Sequence, residues 1–200
     1  MTTHAWPTLA RTAPGAMTWK LKSNTRSSQS PFSGSIQTRE IPGARWMVSF
    51  TMEDLDEEDA APLQAFLAKL RGRSGRFYLH NFARPTPRGT IAGTPLVKGA
   101  AQTGTSLNID GCTVGTTLVP GDFFGVNGEL KMVVATATAD GSGEMTVVFE
   151  PPLRAAPADN AAIVTDKPTA TFMLTNDETT WSVKAPLFTS IPFDCVEVWS

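Results

Sequence analysis

The side chains most used in acid–base and nucleophilic catalysis are few in this sequence. The two histidines are His4, in a stretch without periodicity, and His80, in a strand-like segment. No Ser or Cys stands with a His and an acid at a recognisable motif spacing, and the sequence contains neither Gly-x-Ser-x-Gly nor His-Glu-x-x-His. Because a lone histidine on a strand is usually structural, these residues predict no acid–base site.

Carboxylates are a second source of chemistry, since a pair of them can hydrolyse a glycosidic bond. No feature of the sequence selects a pair, because any acidic β-domain would carry as many candidates. The string Asp140–Glu144 resembles half of a calcium loop, but it lacks the distal glutamate and is better explained as a hairpin turn. We therefore predict no enzyme, cofactor or metal site. The carboxylates considered are Asp122, Glu129, Asp140, Glu144, Glu150 and Asp159.

Arginines are concentrated in one part of the chain. Solvated turn residues are the default interpretation of such a group, and the alternative is an electrostatic contact with an acidic neighbouring subunit. We take these arginines as candidate subunit-interface residues. They are Arg71, Arg73, Arg76, Arg84 and Arg88.

The overall charge and hydropathy exclude several classes of function. The 17 basic and 19 acidic residues give a net charge of −2, without the basic excess expected of a nucleic-acid-binding protein. Apolar runs are only a few residues long, so we predict no membrane insertion. The first residues lack the pattern of a signal peptide, so we expect the chain to stay, at least initially, in the cytoplasm where it is made. Cys112 and Cys195 lack metal-binding spacing and are predicted to be buried.

The first part of the chain predicts strands. Arg45–Met52 alternates apolar and polar residues from Trp46 onward, which is the pattern of a half-buried strand. We expect Ser35–Glu40, across a Pro-Gly turn, to be its partner. Residues 1–16 predict an extended or mobile arm, and Ser23–Pro31 predicts a polar loop. Other strands are predicted at Met17–Lys22, Arg76–His80, Thr169–Thr175, Trp181–Val183 and Ile191–Trp199.

One segment, near residues 54–71, predicts a helix. Asp54–Asp59 places five carboxylates at its start, where the helix dipole favours negative charge. Gly72 follows its end, and Pro62 marks either the first turn or a kink. The apolar stripe at helical spacing consists of Leu63, Phe66, Leu67 and Leu70.

Residues 89–165 differ in composition from the rest of the chain. They contain three basic and seven acidic residues, a net charge of −4, against 14 basic and 12 acidic residues elsewhere. Their short strands and Gly-marked turns are typical of a small barrel or sandwich. These strands are predicted at Ser106–Ile109, Asp122–Val126, Leu130–Thr136, Met145–Glu150 and Ala161–Thr165.

The predicted fold class is therefore mainly β with a small α content. A discontinuous, β-sandwich-like outer domain with one packed helix, residues 1–88 and 166–200, holds an inserted all-β barrel-like domain at 89–165.

Several strings resemble those of the distal tail protein group of bacteriophages with long, non-contractile tails. The resemblance covers nearly the whole chain after residue 16, and its strings are packing and turn motifs rather than catalytic ones. They are Trp19–Thr25 (WKLKSNT), Ser30–Gly34 (SPFSG), Ile41–Trp46 (IPGARW), Leu63–Gly72 (LQAFLAKLRG), Gly75–Leu79 (GRFYL), Gly125–Lys131 (GVNGELK) and Phe149–Arg154 (FEPPLR).

The resemblance implies a structural role in the virion. Such proteins form a six-fold ring at the tail tip, which joins the tail tube protein to the tail hub and central fibre. The expected partners are thus five further copies, the tube and the hub, and the expected location is the virion after synthesis in the host bacterium. The alternative is a carbohydrate-binding module that attaches the tip to the cell surface, which a glycan array with residues 89–165 would distinguish.

Overall fold

The computed structural model describes residues 2–11 and 13–199, and it is mainly β with one α-helix, as predicted. The elements before the barrel are β1 Thr3–His4, β2 Ala16–Lys22, β3 Thr25–Gln29, β4 Ile36–Glu40, β5 Arg45–Leu55, α1 Glu57–Leu70, a 3-10 turn Gly72–Ser74 and β6 Arg76–His80. Next come β7 Gly93–Val97, β8 Ser106–Cys112, β9 Thr117–Leu118, β10 Phe123–Val126, β11 Glu129–Val133, β12 Ala137–Thr138, β13 Met145–Glu150 and β14 Ile163–Val164. The last elements are β15 Thr169–Leu174, β16 Ser182–Lys184 and β17 Phe188–Glu197.

The larger sheet draws its strands from both ends of the chain. Its order is β1-β6-β15-β17-β5-β2, with β16 also paired to β17. The alternation predicted in β5 is confirmed: Trp46, Val48 and Phe50 are buried on one face, and the residues between them are only half-buried. On the neighbouring strand Phe193 lies opposite Phe50, with the two rings stacked at 4.8 Å. Strands β5 and β17 are thus neighbours in the sheet, and both contribute residues to its core.

Two predictions near β5 are wrong. Ser23–Pro31 is not a loop, because Thr25–Gln29 is a strand that pairs with Ile36–Glu40 in a separate two-stranded sheet. The latter strand was expected to pair with β5, whose partners are instead β2 and β17. The strand expected at Ser35–Glu40 is thus present as Ile36–Glu40, and only its partner differs. Since all residues of the two strands are exposed, Thr25–Gln29 has no apolar alternation that could mark it as a strand.

The N-terminal segment is docked on the sheet, which corrects the expectation of a loose arm. Thr3–His4 pairs in parallel with the start of β6. The Trp6 ring lies among five phenylalanine rings at centroid distances of 5.2–6.0 Å. The buried carboxylate of Asp59 accepts hydrogen bonds from the backbone N–H groups of Ala10 and Arg11, both at 2.8 Å. Burial of single apolar residues in irregular backbone leaves no periodicity to detect.

The helix begins later than predicted, because Asp54 and Leu55 still belong to β5. The side chain of Asp56 caps it by accepting a hydrogen bond from the Asp59 N–H at 3.0 Å. Pro62 lies inside the helix, where its ring nitrogen cannot donate to the preceding turn. The predicted stripe is confirmed as buried: Leu63, Phe66, Leu67 and Leu70. This helix has fourteen residues, and no helix in the described part of the chain is long and apolar enough to cross a membrane.

Truncating the helix stripe should destabilise the protein far more than neutralising its first turn. Leu67→Ala removes a side chain that is 2% exposed, so we expect a loss of about 2–5 kcal/mol in the free energy of unfolding. Glu57→Gln should cost well under about 1 kcal/mol, because this exposed carboxylate interacts chiefly with the helix dipole. Urea denaturation of both variants measures the difference. Equal losses would mean that the exposed first turn makes a specific contact.

The second sheet nearly closes into a barrel. Its antiparallel strands run in the order β14-β10-β11-β13-β8-β7. The two outer strands approach each other through a bridge between Leu96 and Ala162, and Val97 N–H donates to the Ala161 carbonyl at 2.9 Å. Inside lies an apolar core with Phe124 and Phe149 at its centre. Five of the barrel strands lie within a few residues of the predicted ones, whereas β7, β9 and β12 were not predicted.

The helix and the barrel cover the same face of the larger sheet at different ends. Near Phe50 the sheet packs against the helix, whereas near Trp46 it packs against the barrel residues Phe123 and Leu130. The Trp46 indole donates to the Leu130 carbonyl at 3.0 Å. The barrel therefore completes the core of the larger sheet as well as its own.

Candidate functional site

The residues considered for catalysis lie apart and have structural roles. His4 is part of β1, and the His80 ring packs on Phe82 at 4.6 Å. Burial, assisted by the positive charge of Lys167, lowers the pKa of His80, so its imidazole is mainly neutral at pH 7. Among the described residues, no three His, Cys, Asp or Glu side chains come close enough to hold a metal ion.

Three of the carboxylates considered for a glycosidase pair hold loops together. The buried Asp122 accepts hydrogen bonds from the N–H groups of Arg88, Gly89 and Val119 at 2.7–3.0 Å, and so fixes the entry of the chain into the barrel. Asp140 closes the turn before β13, and Asp159 accepts from the Gly99 N–H. These contacts account for the three carboxylates without a catalytic role.

Both cysteines are buried, as predicted. Burial raises the pKa of each thiol, and for Cys195 the shift is large. A thiol with a raised pKa is a poor nucleophile at neutral pH, so these residues act as small apolar side chains.

The five candidate arginines fall into two groups at opposite ends of β6. Arg71 and Arg73 are exposed beside the 3-10 turn. Arg76 is half-buried, and its guanidinium donates to the carbonyls of Arg73, Ser74 and Gly75 at 2.8–3.3 Å, so it stabilises its own chain. Beyond the other end of β6, Arg84 donates to the Gly121 carbonyl at 2.9 Å, and the Arg88 side chain is exposed. The five residues thus do not form one surface.

A charged cluster joins the barrel to the larger sheet. The fully buried Lys131 ammonium pairs with Glu129 at 2.6 Å and also donates to the Pro152 carbonyl. Burial lowers the pKa of Lys131, and the ion pair with Glu129 opposes that shift. On the sheet side, Arg154 Nη2 donates to Glu197 Oε2 at 2.6 Å, and the same oxygen accepts from the Trp46 N–H at 3.0 Å.

Trp199 covers this cluster from the solvent side. The guanidinium groups of Arg154 and Arg45 lie 4.0 and 4.5 Å from the centre of its ring. The two arginines are far apart in the sequence and are brought together by the fold. A cleft of about 570 Å³ adjoins Trp199, and it is lined in part by Arg76, Glu129 and Arg154. Arg154, a barrel residue, thus contacts Glu197, the Ala44 carbonyl and Trp199, and these contacts tie the barrel to the larger sheet.

Two hairpins present apolar side chains to solvent. The N-terminal hairpin, residues 25–40, carries Phe32 at its tip with 99% of the residue exposed, and Ile36 beside it. In the C-terminal hairpin, residues 181–190, the most exposed apolar residue is Leu187, at 79%. The other exposed apolar residues of the second hairpin are Trp181, Val183 and Phe188.

The hairpins lie at opposite ends of β5. At the base of the first, the Ile41 N–H donates to the Asn24 carbonyl at 2.7 Å, just before β5 begins. At the base of the C-terminal hairpin, Thr189 pairs with Leu55, the last residue of β5. The eleven residues of β5 span roughly 33 Å, so the two apolar surfaces are far apart.

These two apolar surfaces were not predicted from the sequence. Phe32 stands alone among Ser, Pro and Gly, and Leu187 follows Ala-Pro, so neither belongs to a periodic segment. An isolated large apolar residue inside a polar turn is the one signal that points to them. Neither the scan of protein-family models nor the search of curated proteins finds a match to this chain.

Proposed function

We propose that this chain is a structural, non-enzymatic component of a phage tail tip, which forms a ring between the tail tube and the hub with its central fibre. The observation that carries the proposal is the pair of exposed apolar hairpins at opposite ends of β5. A monomer gains nothing from exposing Phe32 and Leu187, whereas a neighbouring subunit would bury both.

The positions of the hairpins favour a ring over a two-fold dimer. Contacts between different surfaces of identical subunits repeat, and they form a closed ring when the rotation at each contact closes. The seven short strings that resemble distal tail proteins supply the copy number of six and the tube and hub as partners. The junction around Arg154 and Glu197 would hold the barrel at a fixed angle outside that ring.

The carbohydrate-binding alternative gains no support from the barrel. Sugar-binding β-domains stack exposed aromatic rings on sugar faces. The three aromatic residues of the barrel, Phe123, Phe124 and Phe149, are all buried.

Labelling of particles tests the proposal. In phage whose genome encodes this chain, gold-conjugated antibodies against it should label the distal end of the tail in electron micrographs. Tails of normal appearance that carry no label at the tip would contradict the structural assignment.

A further inference from the structure

Charges of opposite sign lie next to the two hairpins, and those next to the C-terminal hairpin come from the end of β5 and the start of the helix. Around the N-terminal hairpin the basic residues outnumber the nearby acids Glu40 and Glu150. They are Lys20, Lys22, Arg26, Arg39 and Arg45. Beside the C-terminal hairpin the acids outnumber the basic residues Arg11 and Lys184. These acids, all exposed, are Glu53, Asp54, Asp56, Glu57 and Glu58.

Within the first hairpin, two positive charges face each other. Arg26 and Arg39 are direct cross-strand partners, on a hairpin with no buried face. Like charges at such a position destabilise a strand pair. Carboxylates from another molecule would relieve this repulsion, while Phe32 and Ile36 lose contact with water.

We propose that the N-terminal hairpin of one copy docks on the acidic, apolar surface formed by the C-terminal hairpin and the start of the helix in the next copy. This inference rests on the proposed ring and names its subunit contact. Phe32 packs against exposed residues such as Leu187, and Arg26 and Arg39 face Glu57 and Glu58. Each copy then donates one hairpin and accepts another, a head-to-tail contact that is able to close.

Two charge reversals should each abolish the contact. In the first variant, Arg26→Glu with Arg39→Glu makes both ends of the protomer acidic. In the second, Glu57→Lys with Glu58→Lys makes both ends basic. Sedimentation velocity at rising protein concentration measures self-association. Each variant should need at least about tenfold more protein than wild type to associate, because like-charged surfaces then meet. Association of the wild type should weaken as salt is raised from about 50 to 500 mM.

An equimolar mixture of the two variants is the matched control for misfolding. The acidic hairpin of the first variant fits the basic surface of the second, and the unchanged hairpin of the second fits the unchanged surface of the first. The mixture should therefore associate at about the wild-type concentration, as an alternating ring with an even number of copies. A chain that carries all four substitutions should also associate with itself.

The possible failures are distinguishable. If both variants associate as well as the wild type, or if the mixture does not restore association, the docking proposal is wrong, and labelling at the tail tip would leave the ring function standing. A wild-type chain that remains monomeric at millimolar concentration also overturns the docking proposal. Absence of the chain from the tail tip would overturn the proposed function itself.

Discussion

Arg154→Ala is expected to lower the free energy of unfolding by about 3–5 kcal/mol. The substitution leaves the Glu197 carboxylate, 1% exposed, with the Trp46 N–H as a remaining hydrogen-bond donor. Within the described residues, Glu197 Oε1 already makes no hydrogen bond, so the substitution would leave this buried carboxylate without its ion-pair partner. Urea denaturation, followed by the fluorescence of the tryptophans near the junction, measures the loss.

Two further variants separate this ion pair from a general effect of removing charge. Lys98→Ala breaks the exposed pair of Lys98 with Glu144 and should change stability much less. Arg154→Met combined with Glu197→Gln removes both charges of the buried pair, and should recover much of the stability lost by Arg154→Ala. Equal losses for Lys98→Ala and Arg154→Ala would show that the junction does not depend on this pair.

Replacing residues 89–165 by a short turn is expected to leave a folded but much less stable outer domain. The join is short, because the Lys167 N–H donates to the Pro85 carbonyl and the two ends of the insertion lie together. Removal uncovers Trp46 and the sheet around it, since Phe123 and Leu130 are part of the same core. At about 1.5–3 kcal/mol for each large apolar side chain, the loss should reach about 5 kcal/mol.

Thermal melting followed by circular dichroism tests this expectation. A cooperative transition at lower temperature is predicted, and sulfate should raise it, because this salt strengthens apolar burial. A fragment that is unfolded and rapidly digested even in sulfate would mean that residues 1–88 and 166–200 are not a domain of their own.

The sequence predicted those elements whose burial is periodic. Strand β5 alternates from Trp46 to Met52, and the helix repeats apolar residues from Leu63 to Leu70, because each packs one face on the core. The docking of the N-terminal segment was missed, although the partly buried Trp6 packs against the core, because the backbone there is irregular. Strand β3 was missed, and β4 was assigned the wrong partner, for the opposite reason, since none of their residues is buried.

The candidate site was less predictable than the fold. Concentration along the sequence singled out the arginines from Arg71 to Arg88, yet the structure separates them and assigns Arg76 and Arg84 to carbonyls of their own chain. Whether any of the five arginines contacts a neighbouring subunit stays a prediction. Arg26 and Arg39 meet only through the register of a hairpin. Charges that become neighbours by folding leave no local pattern in the sequence.

Cryo-electron microscopy of the assembled tail tests the central claim most directly. The account predicts six copies of this chain in one ring at the distal end of the tube, with the N-terminal hairpin of each copy resting on the next. The barrels would lie outside the ring. A tail tip whose map shows no ring of this chain, or only isolated copies attached at the surface, would contradict it.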